Sequence, residues 1–145
     1  MPLPTDAELR ELLSGARTIA MVGASDSPER ASYGVMAALQ GHGFRVIPVN
    51  PRITGEHVHG EFVFRDLDQI GDPIDIVDVF RRAEDVGPIV DDAIAAGAKA
   101  VWFQLGIVND AAAAKAESAG LKVVMDRCLK IEVARLGITI APDAS

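Results

Sequence analysis

Five runs of apolar, strand-favouring residues punctuate the chain: "TIAMVGA", "FRVIPV", "IDIVDVF", "AVWFQL" and "LKVVMD". None shows the polar–apolar alternation of a strand with one wet face, so each suits a strand covered on both sides. Between them lie "SYGVMAALQGHG", "AEDVGPIVDDAIAAGA" and "NDAAAAKAESAG", helical in character and each carrying a glycine of the kind that ends a helix. Strands alternating with helices through right-handed crossovers predict a parallel, doubly wound sheet between helical layers. The fold class expected is therefore a Rossmann-like α/β/α sandwich, most simply with strand order 3-2-1-4-5. Thr5 and Glu8 have the spacing of a capping box ahead of Leu9, Leu12 and Leu13, which predicts a short amphipathic helix at the start. The stretch "RITGEHVHGEFVFRDLDQIGD" is less regular and is expected to give a short edge strand and a turn of helix.

With 145 residues, 49% of them apolar, the chain suffices for one well-buried core, and a single domain over 1–145 is expected, its strand–helix core spanning about 17–137. No apolar run approaches the ~20 residues that cross a bilayer. The stretch "MPLPTDAELRELL" has neither the basic start nor the apolar run of a secretory signal. A cytoplasmic protein is the expectation, and the single cysteine, Cys128, fits a reducing compartment. A net charge of −7 argues against nucleic acid as a partner, because duplex affinity is built from many cationic contacts to phosphate. An anionic ligand would have to be held by local groups.

In an open parallel sheet, ligands lie beyond the carboxyl ends of the strands, where the strand order reverses. The loops that matter are then "GASDSPERAS", "NPRITG", "RRAEDVGP" and "GIVND". The first fails as a dinucleotide fingerprint, since Ser25 and Pro28 stand where G-x-G-x-x-G requires glycines. The second strand ends in Val49, Asn50 and Pro51, with no acidic residue to take a ribose hydroxyl pair. A phosphorylated ribose is admissible there, with Arg30 and Arg52 as candidate charge partners, each weighed against ordinary surface charge. Gly23, Ala24 and Ser25 are small enough to let backbone approach a ligand, and the next helix offers free N–H groups to a diphosphate. A structural strand-to-helix turn is the competing reading.

The segments "MVGASDSPERASYGVMAAL", "GFRVIPVNP", "IDIVDVFRR" and "AVWFQLGIVND", in this order, resemble the stand-alone coenzyme A-binding proteins. These are small single-domain bacterial proteins similar to the N-terminal domain of the succinyl-CoA synthetase alpha subunit. The resemblance runs from about Thr18 to Leu129 and rests on the combination of "VGAS", "PVNP", "DVFR" and "WFQLGI". It implies binding of coenzyme A or an acyl-CoA rather than NAD. By position it implies that Gly23, Ala24, Ser25 and Arg30 cradle the diphosphate, with Ser32 in the same set. Asn50 and Pro51 would lie against the cofactor, Phe80 and Arg81 would flank the adenine or ribose phosphate, and Gln104, Gly106 and Ile107 would line the pantetheine side. Ligases using this module carry a phosphorylated histidine and an ATP-grasp partner, for which this chain has no length, so a non-catalytic binding role is expected and a protein partner stays open. The alternatives are an NAD(P)-dependent oxidoreductase and a regulatory or interaction domain without ligand.

Other constellations are weaker. His57 and His59 in "GEHVHGE", with Glu56 or Glu61, are too few for a closed metal site, His42 and Cys128 being distant in sequence; an exposed loop is expected instead. Cys128 precedes an expected helix near Arg127 and Lys130, but a small buried thiol is favoured over a reactive one. Asp75 and Asp78 stand at i and i+3 of a strand, on opposite faces, and are not expected to act together. Trp102 and Phe103 are expected to pack against the sheet.

Overall fold

The computed structural model describes residues 4–141. The first residues of the stretch read above for a targeting signal, 1–3, and the final 142–145 of the expected domain lie outside the described residues.

Helix α1 (Asp6–Gly15) starts where expected, because Thr5 and Glu8 satisfy each other's backbone N–H at 3.0 and 3.1 Å. Its Leu9 and Leu13, one turn apart, are fully buried. Strand β1 (Thr18–Val22), helix α2 (Ala31–Gly41) and strand β2 (Arg45–Val49) form the first parallel crossover. A two-residue hairpin follows, β3 (His57–Val58) with β4 (Glu61–Phe62), then a 3₁₀ turn at Leu67–Gln69. The chain returns as β5 (Ile76–Val79), α3 (Val86–Ala95), β6 (Ala100–Phe103), α4 (Asp110–Ser118), β7 (Lys122–Val124) and α5 (Leu129–Arg135). Each crossover helix ends before a glycine in the left-handed region, Gly43, Gly97 or Gly120, as the sequence implied. The first turn expected of α3 is instead a 3₁₀ turn over Ala83–Asp85.

All five sheet strands are parallel, in the order β2-β1-β5-β6-β7. Counted along the chain this is 2-1-3-4-5, which corrects the expected 3-2-1-4-5. The reason lies at β2. Its outer edge carries a single parallel bridge, Val49 to Phe64, in which Phe64 N–H donates to the Pro48 carbonyl at 3.0 Å and Asn50 N–H donates to Phe64 at 2.9 Å. One step earlier the edge would need an N–H from Pro48, and proline has none, so no full strand extends along it. The next strand, β5, therefore pairs on the other side of β1.

Side chains alternate between the two faces of the sheet. Ile19, Met21, Ile76 and Trp102 pack with Leu9, Met36, Leu39, Leu129 and Val133 of α1, α2 and α5. Ala20, Val77, Val79, Val101 and Phe103 pack with Val90, Ala93, Ala113 and Ala116 of α3 and α4. Trp102 and Phe103 are completely buried, on opposite faces, as expected of sheet packing. Asp75 sits just before β5, where its carboxylate accepts from the backbone of Arg17 and Thr18 at 2.8 and 3.0 Å and pairs with Lys99 at 3.3 Å. Asp78 lies between Met21 and Trp102 in the ladder, buried and far from that role, so the two carboxylates do serve apart.

Candidate functional site

β1 is the strand at which the winding reverses, with β2 on one side and β5 on the other. The loops leaving these three strands are drawn together by their backbones. Gly23 N–H donates to Val49 at 2.9 Å, and Phe80 N–H donates to Val22 at 2.8 Å. Gly23 has φ +91°, and a Cβ there would stand 2.3 Å from the Phe80 carbonyl oxygen, so only glycine fits. Asn50 locks the first two loops: its Nδ2 donates to the Ala24 carbonyl at 2.7 Å and its Oδ1 accepts from Arg52 N–H at 2.9 Å. Ser25 Oγ accepts from Ser27 N–H at 3.0 Å, tightening the turn that leads to Arg30, the N-cap of α2. Arg30 cannot cap with its cationic side chain, so the first N–H groups of the helix stay open.

These loops frame a crevice of about 1060 Å³. Its walls hold Gly23, Ser25, Arg30, Ser32, Asn50, Phe80, Arg81, Gln104 and Ile107 from the expected set. Three expected residues lie outside the walls. Ala24 is buried and offers its carbonyl to Asn50; Pro51 points to solvent; Gly106 has φ +85° and donates its N–H to Asp126 at 2.7 Å. Arg52 lines the crevice as well, in keeping with its reading as a charge partner.

Further wall residues are ones that the sequence reading did not name for the site, although Arg82 and Asp85 lie in one of its loops. Val35 faces inward from the second turn of α2, Leu105 and Ile131 reach in from the loops and helix at the β6–β7 side, and Arg82 and Asp85 stand at the rim. Cys128 also lines the crevice and is only half-buried, which corrects the expectation of a buried thiol. The signal for it was its place one residue before a helix after the fifth strand, a carboxyl-end position like the others.

The sheet order spreads chemistry across the crevice. Arg52 follows β2 at one side, Arg30 and Arg81 stand centrally, and Leu105, Ile107, Cys128 and Ile131 bring an uncharged wall from the β6–β7 side. Arg82 is engaged by Glu84 at 3.5 Å and Asp85 at 3.2 Å. Arg30, Arg52 and Arg81 take part in no ion pair among the described residues, although the chain carries a net charge of −7. Three uncompensated guanidinium groups around one concave surface form a local cationic field in an acidic protein. Ser32 is 4% exposed, lines the wall, and its hydroxyl makes no hydrogen bond among the described residues.

Two residues back along the strands from Gly23, Phe80 and Gln104, past the row of Val22, Val79 and Phe103, lies the row of Met21, Asp78 and Trp102. Both carboxyl oxygens of Asp78 are buried without a partner among the described residues, and burial pushes its pKa well above the usual carboxylate value. Gln104 serves the frame: its Oε1 accepts from Leu129 N–H at 3.1 Å, capping the start of α5.

The histidines go elsewhere. His57 lies exposed in the hairpin, and His59 Nε2 donates to the Tyr33 carbonyl at 2.9 Å while its ring packs on Tyr33 at 4.1 Å. His42 Nδ1 lies 3.0 Å from the Ile138 carbonyl. Among the described residues no cluster of three or more His, Cys, Asp or Glu side chains is placed to hold a metal ion. No helix of the described residues is long and apolar enough to cross a membrane.

Comparison with known proteins gives the geometry a lineage. The chain is 39% identical over 131 residues to the protein YneT of Bacillus subtilis (strain 168), covering 90% of this chain and 96% of that one. A solved structure from Thermus thermophilus superimposes with a TM-score of 0.88 at 40% identity, covering 92% of this chain and 99% of that one. A structure from Pyrococcus horikoshii OT3 does so with a TM-score of 0.87 at 42% identity, covering 92% of each chain. Residues 17–134, which include every strand of the sheet and every wall of the crevice, match the CoA binding domain, and the chain belongs to that family.

Proposed function

We propose that the crevice holds coenzyme A or an acyl-CoA and that the chain itself catalyses no acyl transfer on it. The observation that carries this reading is the set of three unpaired arginines around the switch point, with Asn50 rather than a carboxylate closing β2. Coenzyme A brings a diphosphate and a 3′-phosphate, and arginine meets phosphate with paired hydrogen bonds. In this reading the open N–H groups of α2 and Arg30 receive the diphosphate, Arg52 and Arg81 the ribose phosphate side, and Phe80 flanks the adenine. Gln104 and Ile107 line the course of the pantetheine arm. The fit is supported by Ser32, a residue only 4% exposed that lines the crevice and whose hydroxyl has no hydrogen-bond partner among the described residues.

The absence of catalysis is inferred from what the walls offer. Asp85 is the one carboxylate among the described wall residues and is engaged by Arg82; no histidine stands there, and the Asn50 amide and the Gln104 carbonyl oxygen are spent on the frame. A nucleophile with an adjacent base is what acyl transfer requires, and a separate protein would have to provide it.

The test is a thermal-shift panel of CoA, acetyl-CoA, NAD, NADP and ATP. The CoA species should raise the melting temperature and the dinucleotides should not, since only a ligand of the folded state stabilises it. A larger shift with NAD or NADP would replace this reading with the dinucleotide one. Calorimetry on Arg30→Ala should show CoA binding weakened by about 1.5 to 3 kcal/mol, the worth of a charged hydrogen bond. Unchanged affinity would take Arg30 out of the site.

A further inference from the structure

We propose that Cys128 is a covalent capture site, whose thiol exchanges with the disulfide form of coenzyme A to leave one CoA moiety attached to the protein. The inference rests on the CoA reading of the crevice and names a reaction of that same site.

Two independent observations meet at this residue. Coenzyme A carries its phosphates and its sulfur at opposite ends, and the crevice is divided in the same sense. Arg52 follows β2, whereas Cys128 follows β7, at the other end of the sheet order. A ligand with its phosphates on the arginines and its arm across the carboxyl ends of β5 and β6 reaches the Cys128 side with its sulfur. Separately, the wall is unfinished without a ligand. Ser32, a residue 4% exposed, lines the crevice with no hydrogen-bond partner for its hydroxyl among the described residues, and Leu105 and Ile131 line it while 65% and 54% exposed.

The backbone on both sides of Cys128 is also held in place. On one side of Cys128 the Arg127 carbonyl accepts from Trp102 Nε1 at 2.8 Å, and on the other Leu129 N–H donates to Gln104 Oε1 at 3.1 Å. Just before them, the Asp126 carboxylate accepts from Gly106 N–H at 2.7 Å while Asp126 itself adopts φ +59°, a conformation that costs energy for a residue with a side chain. Both donors to this segment, Trp102 and Gly106, and its acceptor Gln104 come from the end of β6, so the segment is fastened to the sheet rather than hanging from α5. Exchange requires an in-line approach of thiolate to disulfide, which an anchored backbone at the cysteine favours.

In the step, the Cys128 proton goes to solvent and its thiolate attacks one sulfur of CoA disulfide. The new Sγ–S bond forms as the S–S bond of the reagent breaks, and the departing CoA thiolate takes up a proton. One disulfide is consumed and one is made, so the oxidising equivalents come wholly from the CoA disulfide.

The experiment is intact-mass spectrometry of the full chain exposed to CoA disulfide or, at equal concentration, to glutathione disulfide. The expected result is a single adduct of one CoA moiety, removed by dithiothreitol, absent in Cys128→Ser, and formed roughly tenfold or more faster than the glutathione adduct because recognition places the sulfur. Reduced CoA in excess should slow it. The melting temperature of Cys128→Ser with and without reduced CoA is measured alongside. Absence of a selective adduct while reduced CoA still raises that melting temperature overturns the covalent step and leaves the binding reading standing. Absence of both the adduct and the shift overturns both.

Discussion

Asp78 holds both carboxyl oxygens inside the sheet without a partner among the described residues, and the sign of its effect on stability follows from where its proton sits. Burial raises its folded pKa above the value of 3.8 it has in a free chain. Between those two values the folded protein keeps the proton and the unfolded chain loses it. The contribution of this residue to stability is therefore greatest below the unfolded pKa and declines as pH rises, by about 1.4 kcal/mol per pH unit until the folded pKa is passed. Asp78→Asn has nearly the same shape and no such proton. Urea unfolding of the two proteins from pH 4.5 to 8 should show the variant gaining on the parent as pH rises. A pH-independent difference would mean that Asp78 keeps its ordinary ionisation in the fold. At this scale the sequence spoke unevenly. Gly23 is legible as a glycine required by a tight turn, yet what excludes a side chain is the Phe80 carbonyl 57 residues further on, and no local pattern reveals a contact across that interval. The isolation of Asp78 was hidden in the same way. A strand aspartate announces burial only once its neighbours in the ladder, Met21 and Trp102, are known.

Among the elements, the helices were readable because their ends carry chemistry: the Thr5–Glu8 box at α1, the Asn109 side chain accepting from Ala112 N–H at the start of α4, and the left-handed glycines after α2, α3 and α4. Strand order was not, because periodicity reports which residues are buried and says nothing about which side of β1 a crossover lands on. Pro48 was the available sign, since a proline inside a strand marks an edge with its nitrogen turned outward. The segment from Asp126 to Cys128 was equally silent, being neither strand nor helix. Its position depends on β6. Gln104→Ala should therefore leave Leu129 N–H buried without its acceptor and cost about 1–3 kcal/mol of stability, read from denaturant unfolding. The same variant should lose more stability than Gln40→Ala, whose amide donates to the His59 carbonyl at 3.2 Å in a part-buried position on the helix before β2. Equal losses would show that α5 does not depend on the end of β6 for its start.

For the molecule as a whole, the governing contrast is between a net charge of −7 and a crevice holding Arg30, Arg52 and Arg81 without ion pairs among the described residues. The long-range field of the chain repels a polyanion and the local field attracts it, so salt acts on both. At about 0.1 M ionic strength charges are screened beyond roughly 10 Å, which removes the distant repulsion first and leaves the contacts inside the crevice. Binding of CoA should thus vary little up to that ionic strength and weaken above it, as the screening length falls to roughly 3 Å at about 1 M and reaches the contacts themselves. Dephospho-CoA lacks the 3′-phosphate and gives the control. At a concentration near 100 times its dissociation constant, CoA should stabilise the fold by about 2.7 kcal/mol, a rise of roughly 5–10 °C for a chain of this size. Dephospho-CoA at the same concentration should give a smaller rise, and one less eroded by salt. If Arg52 holds the 3′-phosphate, Arg52→Ala should bring the two ligands to the same shift, whereas Arg30→Ala should lower both and preserve the gap between them. An Arg52→Ala protein that still distinguishes CoA from dephospho-CoA as well as the parent would move the phosphate to Arg81, the remaining unpaired cation of the crevice.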